Sequence, residues 1–224
     1  MAAKRLEEVR CVVKYELVIF DCDGVLVDTE PISNRVLTEV LNDIGLPFTY
    51  QETVETFIGR SDAAVKAIIE ERLGKPLRPD FLEEYDERIY EMFRRDLEPI
   101  PGIVDVLDSL IVPTCVASSG THLRMRTTLG ITRLLTMFDG RMFSATEVEH
   151  GKPAPDLFLY AASRMGTTPE NCAVIEDAIV GVQAGVSAGM AVFGYATHAD
   201  PQAMADAGAR VFLHMNELIP LLEE

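Results

Sequence analysis

Three carboxylates lie close together in the stretch FDCDGVLVD, where Asp21, Asp23 and Asp28 fall within eight positions. Such a cluster costs electrostatic repulsion unless a positive group lies among the carboxylates. A rigidly held aspartate can attack phosphorus and form an aspartyl-phosphate, and a second aspartate can protonate the leaving alcohol and then activate water. A D-x-D pair alone is more often a helix or turn cap, but this pair follows a buried apolar strand and precedes Gly24. We therefore predict that Asp21 is a nucleophile, that Asp23 is its acid–base partner and that a cation binds beside them. We assign Asp28 a structural role, supporting the loop by accepting backbone hydrogen bonds.

Other polar residues follow or separate apolar runs further along the chain. They are Ser118-Ser119-Gly120, Lys152 between Gly151 and Pro153, and the acidic pair Glu176-Asp177. Taken singly, each has an ordinary explanation as a turn former, a surface lysine or a helix cap. However, ligands of open α/β sheets bind beyond the carboxyl ends of the parallel strands. The joint pattern therefore predicts one pocket that contains Asp21, Asp23 and these later groups.

The elements that must position these residues alternate along the chain. Strands are predicted at 17–20, 111–117, 140–145, 171–176, 190–195 and 209–214, and helices between and after them at 125–138 (with a break at Gly130), 155–166, 177–189, 200–208 and 216–224. Further helices are predicted at 31–45, 50–57, 61–74 and 80–95, so that residues 31–99 form an all-helical insert. Strands that alternate with helices predict an α/β fold with a doubly wound parallel sheet, here built from residues 1–30 and 100–224.

Charge and composition narrow the possible partners. The chain has 36 acidic and 20 basic residues, a formal net charge of −16. Such a charge disfavours binding to nucleic acids and to anionic membrane surfaces, so an anionic substrate must be attracted locally by a metal ion or a few cations. The four cysteines form no C-x-x-C pair, and no apolar run is long enough to span a membrane. We predict a reduced, cytoplasmic protein that binds neither nucleic acid nor membrane.

Four motifs in order resemble those of the haloacid dehalogenase superfamily of hydrolases, in particular its phosphatase and β-phosphoglucomutase-like branch. They are Asp21-Cys22-Asp23-Gly24-Val25, Val116-Ala117-Ser118, Lys152-Pro153 and Glu176-Asp177. The resemblance spans roughly residues 15–200 and implies a Rossmann-like core with residues 31–99 as a helical cap domain. Four motifs in order, each at its expected structural place, are more specific than any one alone.

The resemblance also implies roles for the motif residues. Mg²⁺ would be bound by Asp21, the backbone carbonyl of Asp23 and Asp177, with Glu176 as a further or outer ligand. Ser118, with the neighbouring Ser119 and Gly120, would bind the phosphoryl oxygens, and Lys152 would neutralise both the nucleophile and the phosphate. The cation that the aspartate cluster requires is then a hard ion that prefers oxygen ligands.

Residues of the insert give indications about the type of substrate and reaction. Arg60, in a predicted break between two helices, would bind a substrate carboxylate or phosphate, or would be a solvated surface arginine; both readings stay open. Similar sugar-phosphate mutases have a histidine at the position of Ser33 and an arginine at that of Asp62. Because this chain has neither, the resemblance favours hydrolysis over mutase activity.

We therefore expect a Mg²⁺-dependent phosphatase, monomeric or weakly dimeric, that acts on a small phosphorylated metabolite. Candidate substrates are a sugar phosphate, a sugar-acid phosphate or phosphoglycolate. A sugar phosphomutase that uses the same nucleophile is the alternative. A dehalogenase is disfavoured by Asp23 and Asp177, which similar dehalogenases lack along with the metal. An inactive phosphate-binding module is disfavoured because the motif residues are intact.

Overall fold

Six parallel strands form the centre of the protein in the computed structural model, which describes residues 13–57 and 62–224. The strands are β1 (Leu17–Phe20), β2 (Thr114–Ser118), β3 (Met142–Ser144), β4 (Cys172–Glu176), β5 (Ala191–Tyr195) and β6 (Arg210–Phe212). Their order across the sheet is β3-β2-β1-β4-β5-β6. The order reverses beside β1, so the carboxyl ends of β1, β2 and β4 meet where ligands bind in doubly wound sheets. The predicted α/β fold class is confirmed.

Strand β1 shows how the sequence produces the layers. All four of its residues are buried, and successive side chains of a strand point to opposite faces. Val18 and Phe20 belong to one hydrophobic cluster, whereas Leu17 and Ile19 belong to another. A strand that is apolar at every position must be covered on both faces, and both faces of this sheet carry helices.

The described part of the chain contains ten α-helices. They are α1 (Glu30–Asp43), α2 (Tyr50–Phe57), α3 (Asp62–Leu73), α4 (Phe81–Asp96), α5 (Ile103–Ser109), α6 (His122–Ile131), α7 (Asp156–Met165), α8 (Ile179–Ser187), α9 (Pro201–Asp206) and α10 (Leu218–Glu223). Helices α5, α6 and α10 contribute to the cluster that contains Phe20, and α7, α8 and α9 to the cluster that contains Leu17. None of the helices within 13–57 and 62–224 is both long and apolar enough to cross a membrane.

Helices α1 to α4 are inserted between β1 and β2, as the helical pattern of residues 31–99 predicts. The segment that leads into the insert and the segment that returns from it run side by side. Val27 and Pro99 form an antiparallel bridge, the N–H of Asp28 donates to the carbonyl of Glu98 (3.1 Å), and that of Ile100 donates to Leu26 (3.0 Å). Asp28 thus contributes a backbone donor here. The division into a core domain and a cap domain stays a prediction.

Three segments differ from the sequence-based expectation. Helix α5 was not predicted. Strand β2 begins at Thr114, not at 111, because Pro113 precedes it without an N–H for the sheet. Helix α6 begins at His122, three residues before the predicted start, and ends at Ile131, one residue after the predicted break at Gly130; a separate 3-10 turn follows at Leu135–Met137. A glycine costs a helix only about 1 kcal/mol, and the buried Leu129 and Met125 anchor this helix to the core.

Candidate active site

The proposed nucleophile lies directly after β1. The N–H of Asp21 donates to the carbonyl of Ile175 on β4 (2.9 Å), which continues the sheet pairing and fixes the backbone. Asp21 is 8% exposed, and its Oδ1 accepts a hydrogen bond from Lys152 Nζ (2.7 Å). Burial raises the pKa of Asp21 to about 7; Lys152 opposes the shift, whereas Glu176 and Asp23 add to it. This carboxylate is therefore costly to ionise in the absence of further positive charge.

Lys152 supplies part of that charge from inside the protein. Its ammonium group donates to Asp21 and also to Oε1 of Glu176. Its side chain is only 4% exposed, and Nζ lies 4.9 Å from the centre of the Phe158 ring. Burial alone would lower the pKa of Lys152, but the two carboxylates outweigh it and raise that pKa above its usual value. Lys152 is thus a permanent buried cation between two acidic groups.

Glu176 organises the loop after β4. Its Oε2 accepts the backbone N–H groups of Asp177 (3.0 Å) and Ala178 (3.1 Å), while Oε1 is bound to Lys152. Gly181 on α8 also passes close to this carboxylate, because a Cβ there would lie 1.9 Å from Glu176 Oε1. A side chain at position 181 would therefore displace the carboxylate. Glu176 fixes both Lys152 and the loop that presents Asp177.

Three carboxylates form the candidate metal site. Asp21, Glu176 and Asp177 each offer an oxygen, and these oxygens all lie within 4.8 Å of one another. Burial raises the pKa of Asp177, and Glu176 and Asp21 add to the shift. Gly24, with φ +77°, passes so close that a Cβ would lie 2.0 Å from Asp177 Oδ2. A buried, mutually repelling set of hard oxygen donors fits Mg²⁺, which binds few protein carboxylates and keeps waters or phosphate as its other ligands.

The second strand end provides the candidate phosphate-binding loop. Ser118 is buried at the end of β2, Ser119 is exposed and Gly120 lies partly exposed beside them. The N–H of Gly120 donates to Ser118 Oγ (3.0 Å). Ser144, at the end of β3, donates from Oγ to the carbonyl of Gly120 (2.8 Å). Ser144 was not predicted, although a hydroxyl at the end of the neighbouring strand, paired with Ser118, was a usable signal.

Asp23 has a partner that sequence reasoning missed. Arg124 on α6 donates from Nη2 to Asp23 Oδ1 (2.9 Å), and from Nε to Oδ1 (3.2 Å) and Oδ2 (3.3 Å). Asp23 outweighs the effect of burial and raises the pKa of the Arg124 guanidinium. The two residues are 101 positions apart in sequence, and no short-range spacing marks such a pair.

The predicted site residues are thus distributed as follows. Asp21, Lys152, Glu176 and Asp177 are joined by direct contacts or by oxygens close enough to share an ion. Asp23 lies two residues after Asp21, and Ser118, Ser119 and Gly120 follow the adjacent strand β2. Arg60 lies outside the described residues. The roles of these residues stay predictions.

Comparison with known proteins identifies the family. Residues 15–189 match the model of the haloacid dehalogenase-like hydrolases. The chain belongs to this family. It is 30% identical to 6-phosphogluconate phosphatase of Escherichia coli K12, over 92% of this chain and 93% of that protein. It is also 36% identical to fructose-1-phosphate phosphatase YqaB of the same organism, over 79% of this chain and 94% of that protein.

Solved structures agree with this assignment. A conserved haloacid dehalogenase-like protein of unknown function from Agrobacterium tumefaciens C58 superposes with a TM-score of 0.82 at 31% identity, covering 92% of this chain and 97% of that one. A Thermotoga maritima protein provisionally named β-phosphoglucomutase superposes with a TM-score of 0.78 at 28% identity, covering 92% and 98% of the two chains. The expected family and enzyme class are confirmed: the protein is a phosphoric monoester hydrolase of the haloacid dehalogenase family.

Proposed function

We propose that the protein is a Mg²⁺-dependent phosphatase that hydrolyses a phosphorylated sugar or sugar acid through an aspartyl-phosphate on Asp21. The observation that carries this proposal is the buried Asp21–Lys152–Glu176 chain beside Asp177. It holds one carboxylate at a strand end, supplies one cation and leaves an excess of negative charge for a metal ion. The matched phosphatases of small phosphorylated sugars support the substrate class; phosphoglycolate remains a candidate.

In the first half of the reaction, a carboxylate oxygen of Asp21 attacks phosphorus as the bond from phosphorus to the ester oxygen breaks. Asp23 gives its proton to that ester oxygen, so the sugar leaves as a neutral alcohol. Lys152 balances the charge of the nucleophile and of the phosphoryl oxygens. We expect the Ser118 hydroxyl, helped by nearby backbone N–H groups, to donate to the phosphoryl oxygens. The products are the free alcohol and the phosphorylated enzyme.

In the second half, Asp23, now ionised, takes a proton from water. The water oxygen forms a bond to phosphorus, and the bond from phosphorus to Asp21 breaks. Inorganic phosphate leaves, Asp21 is a carboxylate again and Asp23 holds its proton. A single acid–base group therefore serves both halves, as the order of proton transfers requires.

Asp21, Asp177 and the backbone carbonyl of Asp23 would hold the Mg²⁺ ion, with Glu176 behind them. When bound, the ion would offset the repulsion between these carboxylates and the phosphate oxygens. Glu176 is already engaged by Lys152 and two backbone donors. We therefore propose that Glu176 orients Asp177 and Lys152 and does not bind the metal directly.

The predicted solution state and location belong to the same proposal. We expect a monomer or a weak homodimer in the cytoplasm. Cys22, Cys115 and Cys172 are buried free thiols, which suits a reducing compartment. Sedimentation across a concentration series would test the oligomeric state.

Phosphate release from a panel of sugar phosphates, sugar-acid phosphates and phosphoglycolate, with Mg²⁺ or with EDTA, tests the function. We expect metal-dependent release from one compound class well above the rest. Asp21→Asn should abolish release without unfolding the protein, with deamidation excluded by mass spectrometry. Asp108→Asn, the same change at an exposed position on α5, is the matched control and should leave the rate unchanged. No release, but isomerisation of a hexose phosphate when a bisphosphate is added, would move the protein to the mutase alternative.

A further inference from the structure

Among the described residues, Arg124 is the donor in the hydrogen bonds that the Asp23 side chain accepts. It binds both carboxylate oxygens, but unequally. Oδ1 accepts two N–H groups, at 2.9 and 3.2 Å, whereas Oδ2 accepts one at 3.3 Å. Oδ2 is therefore the oxygen with more capacity left for another partner. A guanidinium fork fixes the plane of the carboxylate it binds, which a single donor cannot do.

Arg124 is itself held from two sides. Its backbone N–H donates to the N-cap oxygen of Thr121 (3.2 Å), in the first turn of α6. Its guanidinium carbon lies 5.3 Å from the centre of the Phe93 ring on α4, a stacked arrangement that arginine favours. Its side chain is 24% exposed, as is that of Asp23. The fork is thus anchored by a core helix and by a helix of the insert.

We propose that Arg124 is a positioning residue that aims the Asp23 carboxyl at the leaving group, with Oδ1 bound to the fork and Oδ2 left to carry the transferred proton. This inference rests on the proposed function, because it assigns Asp23 the acid–base role. Proton transfer requires the donor oxygen to lie within hydrogen-bond reach of the ester oxygen. A carboxyl that rotates freely spends less time in that geometry, so the loss of the fork slows ester cleavage and leaves the nucleophile unchanged.

The test compares two leaving groups. An alkyl phosphate, here the sugar phosphate that the panel identifies, needs a proton as the alcohol departs, whereas p-nitrophenyl phosphate releases a stable phenolate without one. For Arg124→Met we expect kcat/KM to fall about 100-fold on the sugar phosphate but less than about threefold on p-nitrophenyl phosphate. The ratio kcat/KM ends at the first irreversible step, the cleavage, so hydrolysis of the aspartyl-phosphate does not enter.

Two further variants separate positioning from charge and from folding. Arg124→Lys keeps the charge and the apolar stem but loses the fork, so we expect an intermediate loss on the sugar phosphate of about 10-fold. Arg126→Met, the same substitution at an exposed position of α6, should leave both rates unchanged. Thermal melting of each variant shows whether it is folded. If Arg124→Met does not fold, the two leaving groups are compared in Arg124→Lys instead.

Coupling to Asp23 gives a second readout. In an Asp23→Asn background, assayed on the sugar phosphate at high enzyme concentration, adding Arg124→Met should change the rate by less than about twofold, since the group it positions is gone.

Losses that multiply would overturn the inference, as would equal losses on both leaving groups. A raised KM for the sugar phosphate at unchanged kcat would also overturn it, because Arg124 would then bind substrate. If the wild-type enzyme releases no phosphate, or Asp21→Asn keeps full activity, the proposed function itself fails and the role of Arg124 with it.

Discussion

The two aspartates that we place at the reacting phosphate are held in different ways. The side chain of Asp21 is 11% exposed and accepts a hydrogen bond from Lys152, which is itself buried and also donates to Glu176. Asp23 has a side chain 24% exposed and is bonded to Arg124, whose guanidinium stacks on Phe93 of the insert. The proposed nucleophile, Asp21, is held by residues of the core, whereas the proposed acid–base group, Asp23, is held where the core meets the insert.

This difference matches the two tasks. A nucleophile needs a fixed place and a fixed charge environment, and both are strengthened by burial, where electrostatic interactions are screened least. An acid–base group must reach the leaving alcohol in one step and water in the next, so it has to lie at the mouth of the site. The contact between Arg124 and Phe93 ties the position of the Asp23 carboxylate to helix α4 of the insert.

The largest effect is expected for Lys152→Met. It leaves Asp21 and Glu176 without their shared buried cation, and removal of one partner of a buried ion pair costs about 3–5 kcal/mol. The variant also loses a cation at the phosphoryl group, so kcat should fall about 10²–10³-fold. Denaturant unfolding and phosphate release, measured with Mg²⁺, check the two effects.

The control is the same substitution in an exposed pair. Lys66 lies 3.9 Å from Glu70, four residues on along α3, and its side chain is 52% exposed. Lys66→Met should change the free energy of unfolding by less than about 0.5 kcal/mol and leave the rate unchanged. Similar stability losses for the two variants would contradict the view that burial makes the Lys152 network costly to disrupt.

An intermediate effect is expected for Gly24→Ala. The new Cβ would overlap Asp177 Oδ2 and push that carboxylate away from its neighbours. The Mg²⁺ concentration needed for half-maximal activity should rise about 10-fold or more, as expected when the support of a metal ligand is disturbed. A Mg²⁺ titration of phosphate release provides the measurement, and the Mg²⁺-dependent rise in melting temperature should shrink in parallel.

Gly45→Ala isolates the backbone contribution. Gly45 also has a positive φ, +89°, but nothing lies within 4 Å of its Cβ position. Gly45→Ala should therefore lose only the backbone part of the stability, about 1–2 kcal/mol, with no change in the Mg²⁺ requirement. If Gly45→Ala weakened Mg²⁺ activation as much as Gly24→Ala, displacement of Asp177 would not be the cause.

The contrast between the two aspartates also separates what the sequence predicts from what it does not. Asp21 and the Glu176-Asp177 pair stand at the ends of buried strands, and Lys152 stands directly before a proline. These are local signals, and parallel topology brings strand ends together. The Asp23–Arg124 pair has no such signal, because Arg124 is one of several polar residues in a helix whose hydrophobic pattern says nothing about position 23.

The same reasoning explains the local errors in the fold. Helix α2 was predicted with the observed bounds, since its apolar positions repeat at helical spacing between clear stops. Helix α5 has only seven residues, too few for a pattern to stand out. The break expected at Gly130 was one residue from the observed end of α6 at Ile131, whereas the start at His122, where Thr121 caps the helix, was missed by three residues.

The smallest effect is expected for Ser144→Ala, beside the candidate phosphate-binding loop. Ser144 is fully buried, and its hydroxyl donates to the carbonyl of Gly120 while accepting the N–H of Thr146 (3.2 Å). Without it, a carbonyl and an N–H lose their partner, which costs about 1–3 kcal/mol for a buried group. Because Gly120 also donates to Ser118, a looser loop should raise KM about two- to fivefold, within the range of one hydrogen bond, with kcat less affected.

Ser109→Ala is the control, since that hydroxyl donates to the carbonyl of Asp105 (2.7 Å) at an exposed site on α5 and its loss should leave KM unchanged. An unaltered KM in Ser144→Ala, together with the expected loss of stability, would mean that the loop is held by β2 alone and that β3 supports the fold but not the substrate.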